Sequence, residues 1–274
     1  MPEIWAGQLG EFRATSTASG GTALTSTAGF IQFPALTAPG NNKKGHLFIT
    51  PRNFSTAVVA KIALNPWLTI LKTTDSMATA PTDYSIGAQD SSTSTSVDIS
   101  DLDTVANGDW LLVGSHIPFR GVDLDIDGTN STGSRTLTVA YWNGGSWISY
   151  TLTYSVSWTT AFDADTTISW TPTTNWASAT FASIYPNLKQ TTYYSNIPLY
   201  WTRWSVNGAL DSSVTIVAML AANRSTTYGE LVLGQTLEQK IVWGFGGLGC
   251  IEALTNAGTA NLIVNVATIH DGEF

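Results

Sequence analysis

The chain has few charged residues: Asp, Glu, Lys and Arg make up 12% of its 274 residues, against about 25% in an ordinary globular domain. Basic residues are the scarcer kind, with 12 Lys and Arg against 20 Asp and Glu, for a net charge of −8. Lys43 and Lys44 form the only adjacent basic pair. Because nucleic acids are bound by clustered Lys and Arg, we expect no nucleic-acid partner.

Cysteine is nearly absent, and the histidines are scattered. Cys250 is the only cysteine, so neither an intrachain disulfide nor a multi-thiolate metal site can form. Its apolar neighbours in FGGLGCIEAL predict a buried structural thiol. His46, His116 and His270 are isolated from one another, and no G-x-S-x-G nucleophile motif is present. We therefore expect no cofactor and no enzymatic activity.

Long apolar runs are missing as well. No segment approaches the roughly 20 apolar residues of a membrane-spanning helix. The first residues, MPEIWAGQLGEF, lack the basic start and apolar stretch of a signal peptide. We expect no membrane partner, and synthesis in the cytoplasm.

Hydroxyl side chains take the place of charges: 26 Ser and 40 Thr together make 66 of the 274 residues. Burying a hydroxyl costs far less than burying an ion, so such a surface suits a protein that packs against neighbours. A secreted or thermally robust β-protein is the alternative. We favour assembly, including a homo-oligomer, because a charge-poor surface promotes association.

Seven tryptophans fall within residues 141–204, in the segments YWNGGSW, ISWTPTTNW and LYWTRWSV and between them. Aromatic, β-branched and Thr residues separated by Gly, Asn and Pro favour strands and turns over helices. We predict an all-β fold. It would comprise an antiparallel β-sandwich or jelly-roll-like domain, a smaller β domain and an extended N-terminal arm.

These segments, together with DWLLVGSHIPFRGVDLDI (109–126), resemble a β-sandwich domain found in structural proteins of tailed-bacteriophage particles. The resemblance covers about 105–216. It rests on the strand pair LVGS (112–115) and PFRG (118–121), the YWNG hairpin (141–144), the segment WTPTTNW (170–176) and LYWTR (199–203). One departure is AFDADTT (161–167), where the family pattern has an Asp-Gly-Thr turn, so we expect a remodelled turn. The resemblance implies a location in the virion after synthesis in the host cytoplasm.

The chain divides into four predicted segments. Residues 1–45 are of low complexity and are expected to form an extended arm held by another subunit or by the rest of the chain. Residues 46–104 form a β-strand segment able to pair with the C-terminal β segment, 217–274. Residues 105–216 form the Trp-rich β-sandwich domain. A helix is the main rival at 56–64, where several good helix formers occur, and we predict strand there.

The most motif-like acidic residues lie in VDLDIDGTNSTGS (122–134). Asp123, Asp125 and Asp127 match the start of an EF-hand calcium loop, but the twelfth position, which needs a bidentate Glu, is Ser134. Apolar residues alternate with the aspartates, as in a half-buried strand with an acidic outer face. We predict a strand. The three aspartates stay candidates for a different metal site, because carboxylates on one face repel without a cation.

The tryptophans allow two roles. Large aromatic side chains fill sandwich cores and anchor interfaces, whereas exposed ones stack on sugar rings. In LYWTRWSV, Trp201 and Arg203 share one face of a strand, and Trp204 lies on the other. We place Trp204 in the core, and Trp201 at an interface or in cation–π packing with Arg203. The full set of interface or glycan candidates is Trp142, Trp147, Trp176, Trp201 and Arg203.

Two classes of function remain. The preferred one is a capsid decoration or cement protein that stabilises the shell through contacts with the major capsid protein or other virion proteins, using buried area and exchanged arms or strands. The other is glycan binding. It would belong either to a tail, baseplate or fibre component that recognises a host-surface glycan or to a free carbohydrate-binding module.

Overall fold

The fold comes from a computed structural model that describes residues 9–14, 21–34, 36, 42–53, 58–103, 107–188, 192–222, 229–257 and 260–269. The chain forms two compact units. Unit 1 comprises Met1–Leu36, Asn41–Asn65 and Ser225–Phe274, and unit 2 comprises Thr37–Gly40 and Pro66–Arg224. Strands make up 48% of the structure and helices 4%. The predicted all-β class, with antiparallel sheets in a sandwich-like fold, is confirmed.

Unit 1 is built on one sheet. Its described strands are β1 (Leu9–Ala14), β2 (Thr22–Leu24), β3 (Gly29–Gln32), β4 (Asn42–Arg52) and β5 (Ala60–Pro66), followed after unit 2 by β18 (Gly229–Leu231), β19 (Leu237–Gly244), β20 (Leu248–Thr255) and β21 (Ala260–Ile269). The order across the sheet is β1-β21-β4-β19-β20-β5-β18, with β2 beside β21 and β3 beside β20. Strands from both ends of the chain therefore share this sheet.

The two longest strands, β4 and β21, set the core of unit 1. Their antiparallel register places Ile49 opposite Val264 and Leu47 opposite Val266, and all four side chains are fully buried. Phe48, which lies between Leu47 and Ile49 on β4, is partly exposed. Alternation of this kind is what a sheet with one buried face requires.

The described parts of residues 1–45 are held by the rest of the chain, one of the two alternatives given for the predicted arm. They form β1, β2, β3 and the start of β4, paired with β21, β20 and β19. Leu24 and Ile31 are buried in the core of unit 1. Gly21, at φ +78°, lies so close to the Leu262 carbonyl oxygen that an added Cβ would be 2.6 Å from it, so this turn requires glycine.

The predicted segment 46–104 contributes to both units. Strand β4 and most of β5 belong to unit 1, and the chain from Pro66 onward belongs to unit 2. Strand β5 confirms strand over helix at Ala60–Pro66. Residues 54–57, where the rival helix would begin, lie outside the described residues.

Unit 2 holds the Trp-rich segments. Its described strands are β6 (Thr69–Thr73), β7 (Thr82–Asp83), β8 (Val97–Asp98), β9 (Trp110–Ser115), β10 (Gly121–Asp127), β11 (Leu137–Trp142), β12 (Trp147–Ser149), β13 (Thr153–Tyr154), β14 (Thr166–Ser169), β15 (Ser178–Ala179), β16 (Leu199–Val206) and β17 (Thr215–Ala221). A 3-10 turn at Gly87–Gln89 and the short helix α1 (Phe181–Ile184) complete it.

These strands form two antiparallel sheets. One has the order β13-β14-β10-β17-β8, and the other has the order β12-β11-β16-β9-β6-β7 with β15 beside β16. Buried side chains from both sheets make one core, among them Val122 and Met219 from the first sheet and Val113, Val139 and Trp204 from the second. Unit 2 is therefore a β-sandwich with its core between the two sheets.

Aspartates close the loops of unit 2 by accepting hydrogen bonds from Ser and Thr hydroxyls and nearby backbone N–H groups. This arrangement occurs at Asp75, Asp83, Asp90, Asp98, Asp163 and Asp211. In the AFDADTT segment, Asp163 accepts from the amide and hydroxyl of Thr159. Many of the hydroxyls that replace charges in this sequence thus organise loops within the fold.

Asp211 is the strongest example of this bonding and makes a pH-dependent prediction. The hydroxyl of Thr132 and the amide and hydroxyl of Ser131 all donate to its carboxylate, and the Thr132 hydroxyl contributes most to lowering its pKa from 3.8 to about 2. A carboxyl with a lowered pKa stabilises the folded state above its unfolded pKa, and this contribution is lost as the pH falls.

We expect Asp211→Asn to lower the urea midpoint of unit 2 at pH 7 and to remove part of the stability loss that the native chain shows between about pH 4 and pH 2. Urea denaturation followed by tryptophan fluorescence across this range provides the measurement. The control is Asp127→Asn, at an exposed position. An unchanged pH profile for Asp211→Asn would contradict this role of Asp211.

Candidate functional site: an aromatic and arginine cluster

The site is organised by β16, the strand that carries LYWTRWSV. It lies between β11 and β9, with Arg203 opposite Ala140 on one side and Leu112 on the other. Alternation along β16 turns Trp204 into the sandwich core, as predicted from the sequence. Trp201 and Arg203 lie on the opposite, outer face of the seven-stranded sheet.

Trp201 is fully buried on this outer face. Its ring lies directly over Gly114 on β9, where an added Cβ would be 2.7 Å from two ring carbons. Its ring centroid is 5.6 Å from that of Phe181 in α1, and its indole N–H donates to the Ala179 carbonyl at 3.0 Å. Trp201 thus anchors the segment containing α1 over the sheet, whereas the sequence analysis placed it at an interface or in cation–π packing with Arg203.

Arg203 packs against two other tryptophans. Its guanidinium carbon lies 4.5 Å from the ring centroid of Trp110 and 5.1 Å from that of Trp147. The small side chain of Ala140, opposite Arg203 on β11, leaves room for the arginine to reach Trp147 on β12. Contacts of this type are cation–π interactions, worth about 0.5–2 kcal/mol each.

Tyr185, just after α1, lies beside Trp110 with their ring centroids 6.4 Å apart. Burial is the largest influence on its hydroxyl and raises its pKa to about 12, although the nearby charge of Arg203 acts in the opposite direction. The hydroxyl oxygen is buried beside the Arg203 guanidinium and the Trp147 indole. Tyr185 therefore remains a neutral phenol at physiological pH.

Trp142 and Trp147 face each other across the β11–β12 hairpin, with ring centroids 5.3 Å apart in an edge-to-face arrangement. The Asn143 side chain closes the turn by accepting hydrogen bonds from the amides of Gly145 and Ser146. Both tryptophans are partly exposed. We call the set Trp110, Trp142, Trp147, Tyr185 and Arg203 the aromatic–arginine cluster.

Trp176 belongs to the core and not to this cluster. It is 5% exposed, its indole N–H donates to the Trp201 carbonyl, and its ring packs against Phe119 and Tyr150. Of the five interface or glycan candidates from the sequence, the structure brings together Trp142, Trp147 and Arg203. It buries Trp176 on one side of the seven-stranded sheet and Trp201 on the other.

The three aspartates of β10 lie on a strand, as predicted. Asp123 accepts from the Thr167 hydroxyl at 2.7 Å, and Asp127 accepts from the amide of Gly128. Asp125 is exposed, and its pKa is raised by partial burial and then by the charges of Asp165 and Asp127. Among the described residues, no group of three or more His, Cys, Asp or Glu is arranged to hold a metal ion.

Two members of the cluster, Trp110 and Tyr185, were missed by the sequence analysis. Trp110 carried a signal, since period-2 alternation in DWLLVGS places Trp110, Leu112 and Gly114 on one face of β9. Tyr185 carried none, because α1 and its flanking turns have no periodic pattern.

Within the described ranges, the structure contains no helix with the length and apolar character of a membrane span.

Comparison with known proteins adds no assignment: no family model, curated protein or solved structure matches this chain. The interpretation of the cluster therefore rests on its geometry.

We expect Arg203→Ala to destabilise unit 2 by about 1–2 kcal/mol, because it removes both cation–π contacts and the packing of the arginine stem between the indoles. Denaturant unfolding monitored by tryptophan fluorescence measures the change. Arg120→Ala, at an exposed position outside the cluster, is the matched control and should stay within about 0.5 kcal/mol of the native chain. Equal effects of the two substitutions would contradict the packing role of Arg203.

Proposed function

We propose that the protein is a structural component of a tailed-bacteriophage particle, most concretely a capsid decoration or cement protein. Its partners would be the major capsid protein or other virion proteins and further copies of itself. It would act through buried contact area and carry out no catalytic step. The virion is its proposed location.

The observation that carries this proposal is that the segments resembling phage structural proteins come together in one sandwich. The segments PFRG, WTPTTNW and LYWTRWSV meet in its core. The ring centroid of Phe119 lies 5.4 Å from that of Trp170 and 5.2 Å from that of Trp176, and the centroids of Trp170 and Trp204 are 6.3 Å apart. The YWNG segment forms the β11–β12 hairpin on the same sheet. The resemblance thus involves residues that build a single domain.

Unit 1 offers an apolar surface suited to attachment. The loop between β18 and β19 is held compact by backbone and side-chain bonds between Val232 and Gln235, yet Val232 and Leu233 are 40% and 51% exposed. Strand β18 lies at the edge of its sheet, and edge strands pair readily with other chains. Covering these side chains against a neighbour would bury apolar area.

The test is the copy number of the chain in purified particles, measured by quantitative mass spectrometry against the major shell protein. A ratio near that of the shell protein supports a decoration role across the capsid. A much lower ratio contradicts that role and favours a tail or neck component, and absence from particles overturns the proposal.

If the β18–β19 loop attaches the protein, the double substitution Val232→Ser and Leu233→Ser should lower its occupancy on particles severalfold, because the apolar contact is lost. The matched control is Val156→Ser with Ile117→Ser, which changes two equally exposed apolar residues of unit 2. Occupancy is read by the same mass spectrometry. Equal occupancy for both double variants would contradict attachment through this loop.

The second candidate is a tail, baseplate or fibre component that binds a host-surface glycan through the sandwich, or a free carbohydrate-binding module. The partly exposed, edge-to-face Trp142–Trp147 pair favours it. Aromatic side chains with accessible rings are suited to stacking on the apolar face of a sugar.

A further inference from the structure

Among the residues that the structure describes, Arg203 has no carboxylate partner. The described residues contain ion pairs between Lys72 and Asp101 and between His46 and Glu238, and within this part of the chain no carboxylate pairs with Arg203. Its guanidinium lies over the rings of Trp110 and Trp147 and beside the Tyr185 hydroxyl.

The surroundings of Arg203 limit how a ligand can reach it. Burial lowers the pKa of Arg203, which reflects the cost of holding the charge partly away from water. The rings of Trp110 and Trp147 take up two sides of the guanidinium, and the Tyr185 hydroxyl lies beside it. The remaining N–H groups in the guanidinium plane are left for a ligand. Those groups form a fork that matches the two oxygens of a carboxylate.

We infer that the aromatic–arginine cluster binds a carboxylated sugar, with the sugar ring packed against the Trp142–Trp147 pair and the carboxylate paired with the Arg203 guanidinium. The inference rests on the glycan-binding candidate of the preceding subsection and adds the class of sugar. Uronic and sialic acids both carry a carboxylate on a pyranose ring that also presents apolar C–H groups. A neutral sugar would leave the guanidinium without its anion.

The experiment measures binding to the full chain by titration calorimetry and saturation-transfer NMR, using two acidic probes with matched neutral forms. The first pair is trigalacturonic acid and its methyl ester, and the second is 3′-sialyllactose and lactose. We expect at least one acid to bind saturably and its neutral counterpart to bind at least tenfold more weakly. A higher salt concentration should weaken binding of the acid more than binding of the neutral form.

Single substitutions identify the side chains that bind the sugar. Arg203→Gln should lower the affinity for the acid at least tenfold, to the level of the neutral sugar, while Arg203→Lys should retain part of it. Trp147→Ala should weaken binding of both forms. Arg120→Gln, an exposed arginine outside the cluster, should change nothing. Near-UV circular dichroism tests whether each variant is folded. If Arg203→Gln does not fold, comparing the acid and neutral probes on the native chain still tests whether the carboxylate is recognised.

The outcomes separate this inference from the proposals on which it depends. Equal affinity for acid and neutral sugars overturns the carboxylate inference and leaves glycan binding in place. Binding of none of the four probes, or binding that Arg203→Gln leaves unchanged, overturns the inference at this cluster. Cross-linking of the cluster to a virion protein without sugar binding also overturns it and favours an interface. The decoration proposal is decided separately by copy number.

Discussion

The contact between the Trp201 ring and the backbone at Gly114 is the constraint on which the organisation of unit 2 depends. It lets β16 bury a large aromatic side chain on each face of one sheet, with Trp204 between the two sheets and Trp201 on the outside. Because Gly114 has no side chain, the Trp201 ring packs close to the β9 backbone. A second buried layer, which includes Phe181, therefore lies on the outer face of the seven-stranded sheet. Arg203 and the tryptophans beside it occupy the part of that face next to this layer.

The scarcity of charge has a structural explanation in the same unit. Its aspartates accept hydrogen bonds from Ser and Thr in successive loops, and its partly buried Lys72 is neutralised by Asp101 at 3.0 Å. Charged groups are therefore mostly committed to local structure. Arg203 departs from this pattern, since its guanidinium packs on the rings of Trp110 and Trp147.

The sequence predicted what depends on local pattern. Alternation in LYWTRWSV and VDLDID correctly assigned Trp204 to the core and the aspartates to a strand, and Cys250 is buried as expected. Contacts between distant segments escaped prediction: nothing near Trp201 indicates Gly114, and nothing near Arg203 indicates Tyr185. The Ser, Thr and Gly of residues 1–45 carry little periodic signal, so the sequence could not show where these residues pair. Their described strands pair with β20 and β21, more than 200 residues away in sequence.

Amide hydrogen exchange on a Trp201→Leu variant tests most directly whether Trp201 holds the outer layer on the sheet. The account predicts that protection falls most in residues 181–188, where the amides of Ala182 and Tyr185 are bonded within the layer. The paired strands β10 and β17 in the other sheet should keep their protection. Unchanged exchange in 181–188, or an equal loss throughout unit 2, would contradict the claim that this contact organises the layer and the cluster beside it.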